Sequence, residues 1–210
     1  MHTAIDLSIL TIFIPTFFFV SATPGMCMTL SLTLGMTIGL RRTFWMMWGE
    51  LVGVALVSIA AVVGVAAVML NYPALFHVLK YAGGAYLCYL GIQLWRARGK
   101  MAMGEAHENM AKCSGGELAL QGFVTAVANP KGWAFMISLL PPFINPDQAL
   151  APQMIILLAI ILSIEFCCLI LYATGGKTMR RLLQNRSSVK TLNRIAGTLM
   201  LGVGIWLAVL

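Results

Sequence analysis

Apolar runs of about 20 residues or more, separated by short polar loops, dominate this sequence. A run of that length crosses the roughly 30 Å hydrocarbon core of a bilayer as an α-helix. Hydrophobic residues make up 60% of the 210 residues and charged residues only 10%. That composition excludes an ordinary soluble globule. The candidate spans run from about Ile5 to Leu40, Thr43 to Leu70, Ala74 to Trp95, Glu117 to Leu140, Pro152 to Thr174 and Thr191 to Leu210. The sequence therefore predicts an all-α integral membrane protein with six transmembrane helices in a single domain.

The positions of the basic residues predict the orientation of these spans. Twelve of the 14 lysines and arginines lie in or at the edge of the first, third and fifth loops, and the other two, Lys80 and Lys131, lie within spans. Lysine and arginine are enriched in cytoplasmic loops. The odd-numbered loops are therefore expected in the cytoplasm and both termini outside. Because the positive charge lies between spans, the net charge of +7 indicates membrane topology and no nucleic-acid partner.

Two of the spans contain a proline-centred interruption. Thr23-Pro24-Gly25 falls inside the first span, which is too long for one straight crossing, and Asn129-Pro130-Lys131 falls inside the fourth. Dividing the chain into residues 1–96, a cytoplasmic linker at 97–116, and residues 117–210 gives three spans in each half. Because three is odd, halves that share a fold must lie in opposite orientations. We therefore predict two inverted three-helix repeats with interrupted first and fourth helices, an arrangement typical of secondary transporters.

Ionisable side chains inside the spans mark the candidate site. Glu50 and Glu165 each lie well within a span, and an acid at such a depth is a functional candidate by default. A desolvated carboxylate can bind and release a proton, so both are predicted to act in proton coupling. Lys131 is a candidate counter-charge, and a structural ion pair that joins the halves is the alternative. The interrupted backbone at Thr23, Pro24, Gly25, Asn129, Pro130 and Lys131 is predicted to bind a small polar solute, since broken helices expose free N–H and C=O groups.

The residues also leave other functions open. A small-cation or metal-ion exporter could use Glu50 and Glu165 as oxygen ligands, but Lys131 would repel the ion. A transmembrane thiol electron carrier could use Cys27, although the matching position after Pro130 is Trp133 and no partner thiol is evident. The sequence shows no HExxH or GxSxG motif, so no enzymatic activity, cofactor or bound metal is predicted.

Four segments resemble the lysine exporter (LysE/RhtB) family of bacterial amino-acid exporters. They are FVSATPGMCMTLSLTLGMTIGLRR, YPALFHVLKYAGGAYLCYLGIQLWR, GFVTAVANPKGWAFMISLLPPFI and NRIAGTLMLGVGIWLAV. Glu165 matches a position where that family often has a carboxylate. One departure is Met26, where the family's first break usually reads Pro-Gly-Pro.

The resemblance implies a six-span protein of the bacterial inner membrane that exports an amino acid or a derivative. It also implies proton antiport. The mechanism that we expect is alternating access, with the solute entering from the cytoplasm between the two inverted halves. A homodimer is a further possible assembly, because short six-span carriers with glycine-rich faces often pair.

Overall fold

The chain is described by a computed structural model that covers residues 7–71, 73–96, 113–145 and 148–209. Within these ranges the structure is almost wholly helical and contains no strand. The helices are α1 (Leu7–Ala22), α2 (Met26–Thr37), α3 (Leu40–Asn71), α4 (Pro73–Arg96), α5 (Gly115–Val127), α6 (Pro130–Leu139), α7 (Leu150–Gln184) and α8 (Arg186–Val209). A 3-10 turn at Pro141–Phe143 follows α6. Residues 97–112, which form most of the predicted linker, lie outside the described part of the chain.

Both predicted interruptions are present in the structure. The first region bends by 55° between α1 and α2, with Thr23–Gly25 outside either helix. The fourth region divides between α5 and α6, where Pro130 occupies the first turn of the new helix. Proline is suited to that position, since its missing N–H would have no partner within the helix. The Asn129 side chain caps α6 by accepting a hydrogen bond from the Lys131 N–H at 3.1 Å.

Two helices are long and apolar enough to cross a bilayer unaided. Leu40–Val65 of α3 and Leu150–Gly175 of α7 have mean hydropathies of 2.0 and 3.0. The bent α1–α2 pair gives a third span if its two helices are counted together. No other helix among the described residues passes the same test of length and hydropathy.

Exposed apolar and aromatic side chains form stripes along α3 and α4. On α3 the exposed positions recur every three or four residues at Trp45, Trp48, Val52, Leu56, Ile59 and Val63. A helix in water would carry polar groups on such a face. These stripes match a lipid-facing surface, as expected for a multi-pass membrane protein.

Glycines allow the closest helix contacts. A Cβ built on Gly49 would lie 1.8 Å from Ala119 O, and one on Gly122 would lie 2.0 Å from Met46 O, so α3 and α5 touch backbone to backbone. Gly91 and Gly197 face each other's carbonyls in the same way between α4 and α8. Small residues permit such close approach in membrane helices. The α3–α5 contact matters most for the site, because α3 carries Glu50.

Candidate functional site

A cavity of about 80 Å³ lies where the two helix breaks meet. Its walls come from α1, α2, α3, α5, α6 and α7 and from both interruptions. The polar side chains that line it are Ser21, Thr23, Cys27, Glu50, Asn129, Lys131 and Glu165. The apolar remainder lies next to a buried core cluster that includes Phe17, Val57 and Phe135. The cavity is therefore polar at the interruptions and apolar where it meets the core.

The two interruptions place a cation beside exposed backbone. The Nζ of Lys131 donates to the carbonyl of Val20 at 3.4 Å, which connects α6 to the last turn of α1. A Cβ built on Gly25 would lie 4.0 Å from the same nitrogen. Gly25 itself has an extended backbone and precedes α2 as its N-cap. The ammonium group thus lies next to the start of α2, where the helix dipole also favours an anion.

Glu50 and Glu165 face the same cavity from α3 and α7. Glu50 is completely buried, and among the described residues no donor makes a hydrogen bond to its carboxyl oxygens. The two carboxyl groups are nevertheless close enough to interact electrostatically. Glu165 also interacts with Lys131 and with Ser21. A buried acid that accepts no hydrogen bond is costly when it is ionised, so Glu50 is a candidate to hold a proton or to bind a ligand.

The position of Glu50 depends on the α3–α5 contact. A Cβ on Gly122 would come within 2.9 Å of the Glu50 backbone nitrogen, and one on Gly53 would lie 2.7 Å from Ala126 Cβ. Because Ala126 also lines the cavity, this contact sets the spacing between Glu50 and the α5 wall.

Two hydrogen bonds fix the first interruption onto α7. The Tyr172 hydroxyl donates to Ala22 O, the last carbonyl of α1, at 2.7 Å. The Ser31 hydroxyl donates to Leu169 O at 2.8 Å and joins α2 to the same helix. α7 carries Glu165, so these bonds hold the carboxylate in register with the break between α1 and α2.

Most of the residues predicted from sequence meet at this cavity. Thr23, Gly25, Asn129, Lys131, Glu50 and Glu165 all line it. Pro24 and Pro130 are not among its lining residues; they shape the interruptions without facing the space. The predicted roles in binding and proton coupling remain predictions.

Sequence reasoning missed the apolar wall, although helical spacing carried a signal for it. Val54 and Val57 follow Glu50 by four and seven residues, and Phe135 follows Lys131 by four. Residues three or four apart lie on one helix face. Counting three, four or seven residues onward from Glu50 and from Lys131 along their helices would have identified these apolar neighbours.

The cysteines and acids bear on the alternative functions. Cys27 lines the cavity with its thiol free, and Cys168 is a free buried thiol on α7. Among the described residues no group of three histidine, cysteine or acidic side chains is arranged to hold a metal ion.

Comparison with known proteins gives the family. The family described as "LysE type translocator" matches residues 18–210. The chain belongs to the LysE type translocator family. The resemblance seen in the sequence is therefore confirmed.

Several curated proteins are similar to this chain along most of its length. A Salmonella typhimurium protein named homoserine/homoserine lactone efflux protein is 29% identical over 188 residues, which cover 90% of each chain. An Enterobacter sp. (strain 638) protein named leucine efflux protein is 29% identical over 194 residues, covering 91% of this chain and 90% of its own. An uncharacterized membrane protein of Vibrio cholerae is 26% identical over 188 residues, again 90% of each chain. No solved structure matches the chain at a significant level.

Proposed function

We propose that this protein is a secondary active exporter that moves an amino acid or an amino-acid derivative out of the cytoplasm. The observation that carries the proposal is the meeting of two acids and one lysine at two helix breaks. Family membership and the names of the efflux relatives support it. The bacterial inner membrane, with both termini outside, is the location that fits the distribution of basic residues.

The cavity offers complementary groups for both ends of an amino acid. Lys131 Nζ and the free N–H groups at the start of α2 suit a carboxylate. Glu50 or Glu165 suits an ammonium group, and so does the carbonyl of Thr23, which lies outside both helices. Thr23 and Asn129 add short polar side chains at the same breaks. The substrate would thus lie between the two interruptions, in contact with both halves of the chain.

The proton would be carried by the two acids. Two carboxylates in one buried site repel each other when both are charged, so such a pair tends to hold a proton. A substrate ammonium that binds the pair would displace that proton. In antiport the acids would then release substrate outside and take up a proton there.

An inverted repeat would supply the conformational change. The corresponding helices are α1–α2 with α5–α6, α3 with α7, and α4 with α8. Helix α3 packs on both α5 and α6, and α7 packs on both α1 and α2, so each middle helix contacts the broken pair of the other half. Rocking of the halves about the cavity would expose it to each side in turn. A homodimer remains a possible assembly of this carrier.

Counterflow in proteoliposomes tests the proposal. Purified protein is reconstituted into vesicles loaded with a mixture of unlabelled amino acids, and one labelled amino acid at a time is added outside. We expect at least one label to accumulate above its equilibrium level, because a carrier exchanges internal for external substrate. If neither an amino acid nor an amino-acid derivative is exchanged, the proposal is wrong, and the same vesicles then test small cations.

A further inference from the structure

The part of the cavity wall away from the charged groups is apolar and firmly packed. Phe17, Val57 and Phe135 are each only 2% exposed, and Met136 is 5% exposed. The rings of Phe17 and Phe135 lie 5.9 Å apart between centroids. These residues belong to the core cluster, so their position in the cavity is fixed by packing on several helices.

A hydroxyl group beside this wall is already engaged. The Ser58 hydroxyl lies 2.8 Å from Val54 O and 3.4 Å from Met136 Sδ. It is fully buried and is not among the lining residues. A substrate side chain that reaches the wall therefore meets methyl, thioether and aromatic surface, with no free hydroxyl or amide among these residues.

Each charged side chain in the described part of the lining has a partner once the backbone groups of an amino acid and one proton are bound. An α-carboxylate takes Lys131, an α-ammonium takes one acid, and the other acid is left for the transported proton. A cationic side chain would compete with that proton for the remaining acid. An anionic side chain would need a second cation, and Lys131 is the one cation among the described lining residues. A charge placed against the apolar wall would lack a counter-ion, which is strongly unfavourable.

We infer that the exported amino acid carries an uncharged aliphatic side chain, of the size class of leucine or methionine, which packs on Val54, Val57, Phe17, Phe135 and Met136. This inference rests on the proposed function and assigns the substrate class of the same site. Each additional methylene that a hydrophobic pocket accepts changes discrimination by about 10-fold or more. Leucine should therefore be bound at least about 10-fold more tightly than alanine, which has the same charged groups.

The experiment compares five labelled amino acids in counterflow with wild-type protein: leucine, methionine, alanine, lysine and aspartate. We expect leucine and methionine to be exchanged with half-saturation concentrations about 10-fold or more below that of alanine. Lysine and aspartate should be exchanged least. Exchange of lysine, aspartate or alanine as efficient as that of leucine would overturn the inference and leave amino-acid export intact. Exchange of none of the five would also overturn the inference, and counterflow with the full mixture of amino acids would then decide the proposed function.

A matched pair of variants tests the wall directly. Val54→Ala enlarges the cavity, whereas Val52→Ala makes the same change on the exposed face of α3, where Val52 is 61% exposed. Val54→Ala removes two side-chain carbons and should shift preference from leucine toward phenylalanine by at least about 10-fold, the effect typical of a single methylene in a pocket. Val52→Ala should leave the ratio unchanged. Retained alanine exchange shows that each variant is folded, and an unchanged ratio in a folded Val54→Ala protein would overturn the assignment of this wall.

Discussion

Replacement of Gly122 by alanine should disturb both the packing of the protein and its transport. The added Cβ would lie 2.0 Å from Met46 O, whereas real Cβ contacts essentially never fall under 3.0 Å. Helix α5 would therefore have to move by about 1 Å from α3 at this point, because the opposing atom is backbone. Overpacking of this kind costs about 1–3 kcal/mol. For a chain of this size, each kcal/mol corresponds to a shift of about 2–4 °C in Tm.

The same displacement would move Glu50, whose backbone nitrogen lies 2.9 Å from the added Cβ. We therefore expect lower counterflow activity at temperatures where the variant is still folded. The matched control is Gly64→Ala, since Gly64 lies on the same helix as Glu50 and a Cβ there has no atom within 4 Å. Thermal unfolding in detergent, followed by size-exclusion chromatography with fluorescence detection, measures the shift. If Gly122→Ala and Gly64→Ala have the same Tm and the same transport rate, the account of the α3–α5 contact is wrong.

Two further substitutions test single contacts. Lys131→Met keeps most of the side chain's apolar stem but removes the charge expected to bind the substrate carboxylate. A hydrogen bond to a charged group contributes about 1.5–3 kcal/mol. The half-saturation concentration in counterflow should therefore rise by about 10- to 100-fold, and an unchanged value would exclude this role. Tyr172→Phe removes the hydroxyl that donates to Ala22 O, which should cost about 1 kcal/mol and lower the Tm relative to the exposed control Tyr86→Phe. Equal Tm values for that pair would show that this bond does not hold the first interruption in place.

The sequence predicted the helices better than it predicted the cavity. Hydropathy and proline positions were enough to place the interruptions at Pro24 and Pro130, because a ring that fixes φ and removes an N–H acts locally. The ends of the long helices were less well predicted. Helix α7 continues to Gln184, well beyond the apolar run that ends near Thr174. An α-helix can continue beyond the apolar run until a helix-breaking residue such as proline ends it. A hydropathy profile gives no signal for that continuation.

The meeting of Glu50 with Glu165 could not be predicted from spacing alone. It depends on how α3 and α7 are positioned by their neighbours. Gly122 of α5 packs against Met46 O of α3, and the Ser31 hydroxyl of α2 donates to Leu169 O of α7. The sequence analysis predicted that Glu50 and Glu165 lie within spans, and it left either acid as the partner of Lys131. The structure shows that Lys131 interacts with Glu165 and donates to Val20 O. That carbonyl contact depends on the bend at the first interruption and has no signal in local sequence.

The most direct test of the account compares Glu165→Gln with Glu117→Gln in vesicles that have an acidic lumen. Glu117 is an exposed residue in the capping box at the start of α5, and glutamine preserves such a box. The wild type and Glu117→Gln should accumulate labelled substrate as protons leave the vesicle. Glu165→Gln should fold normally but fail to accumulate substrate in response to the gradient, since its amide cannot carry the proton. Normal accumulation by Glu165→Gln across a range of pH gradients would contradict the central claim that this acid couples transport to protons.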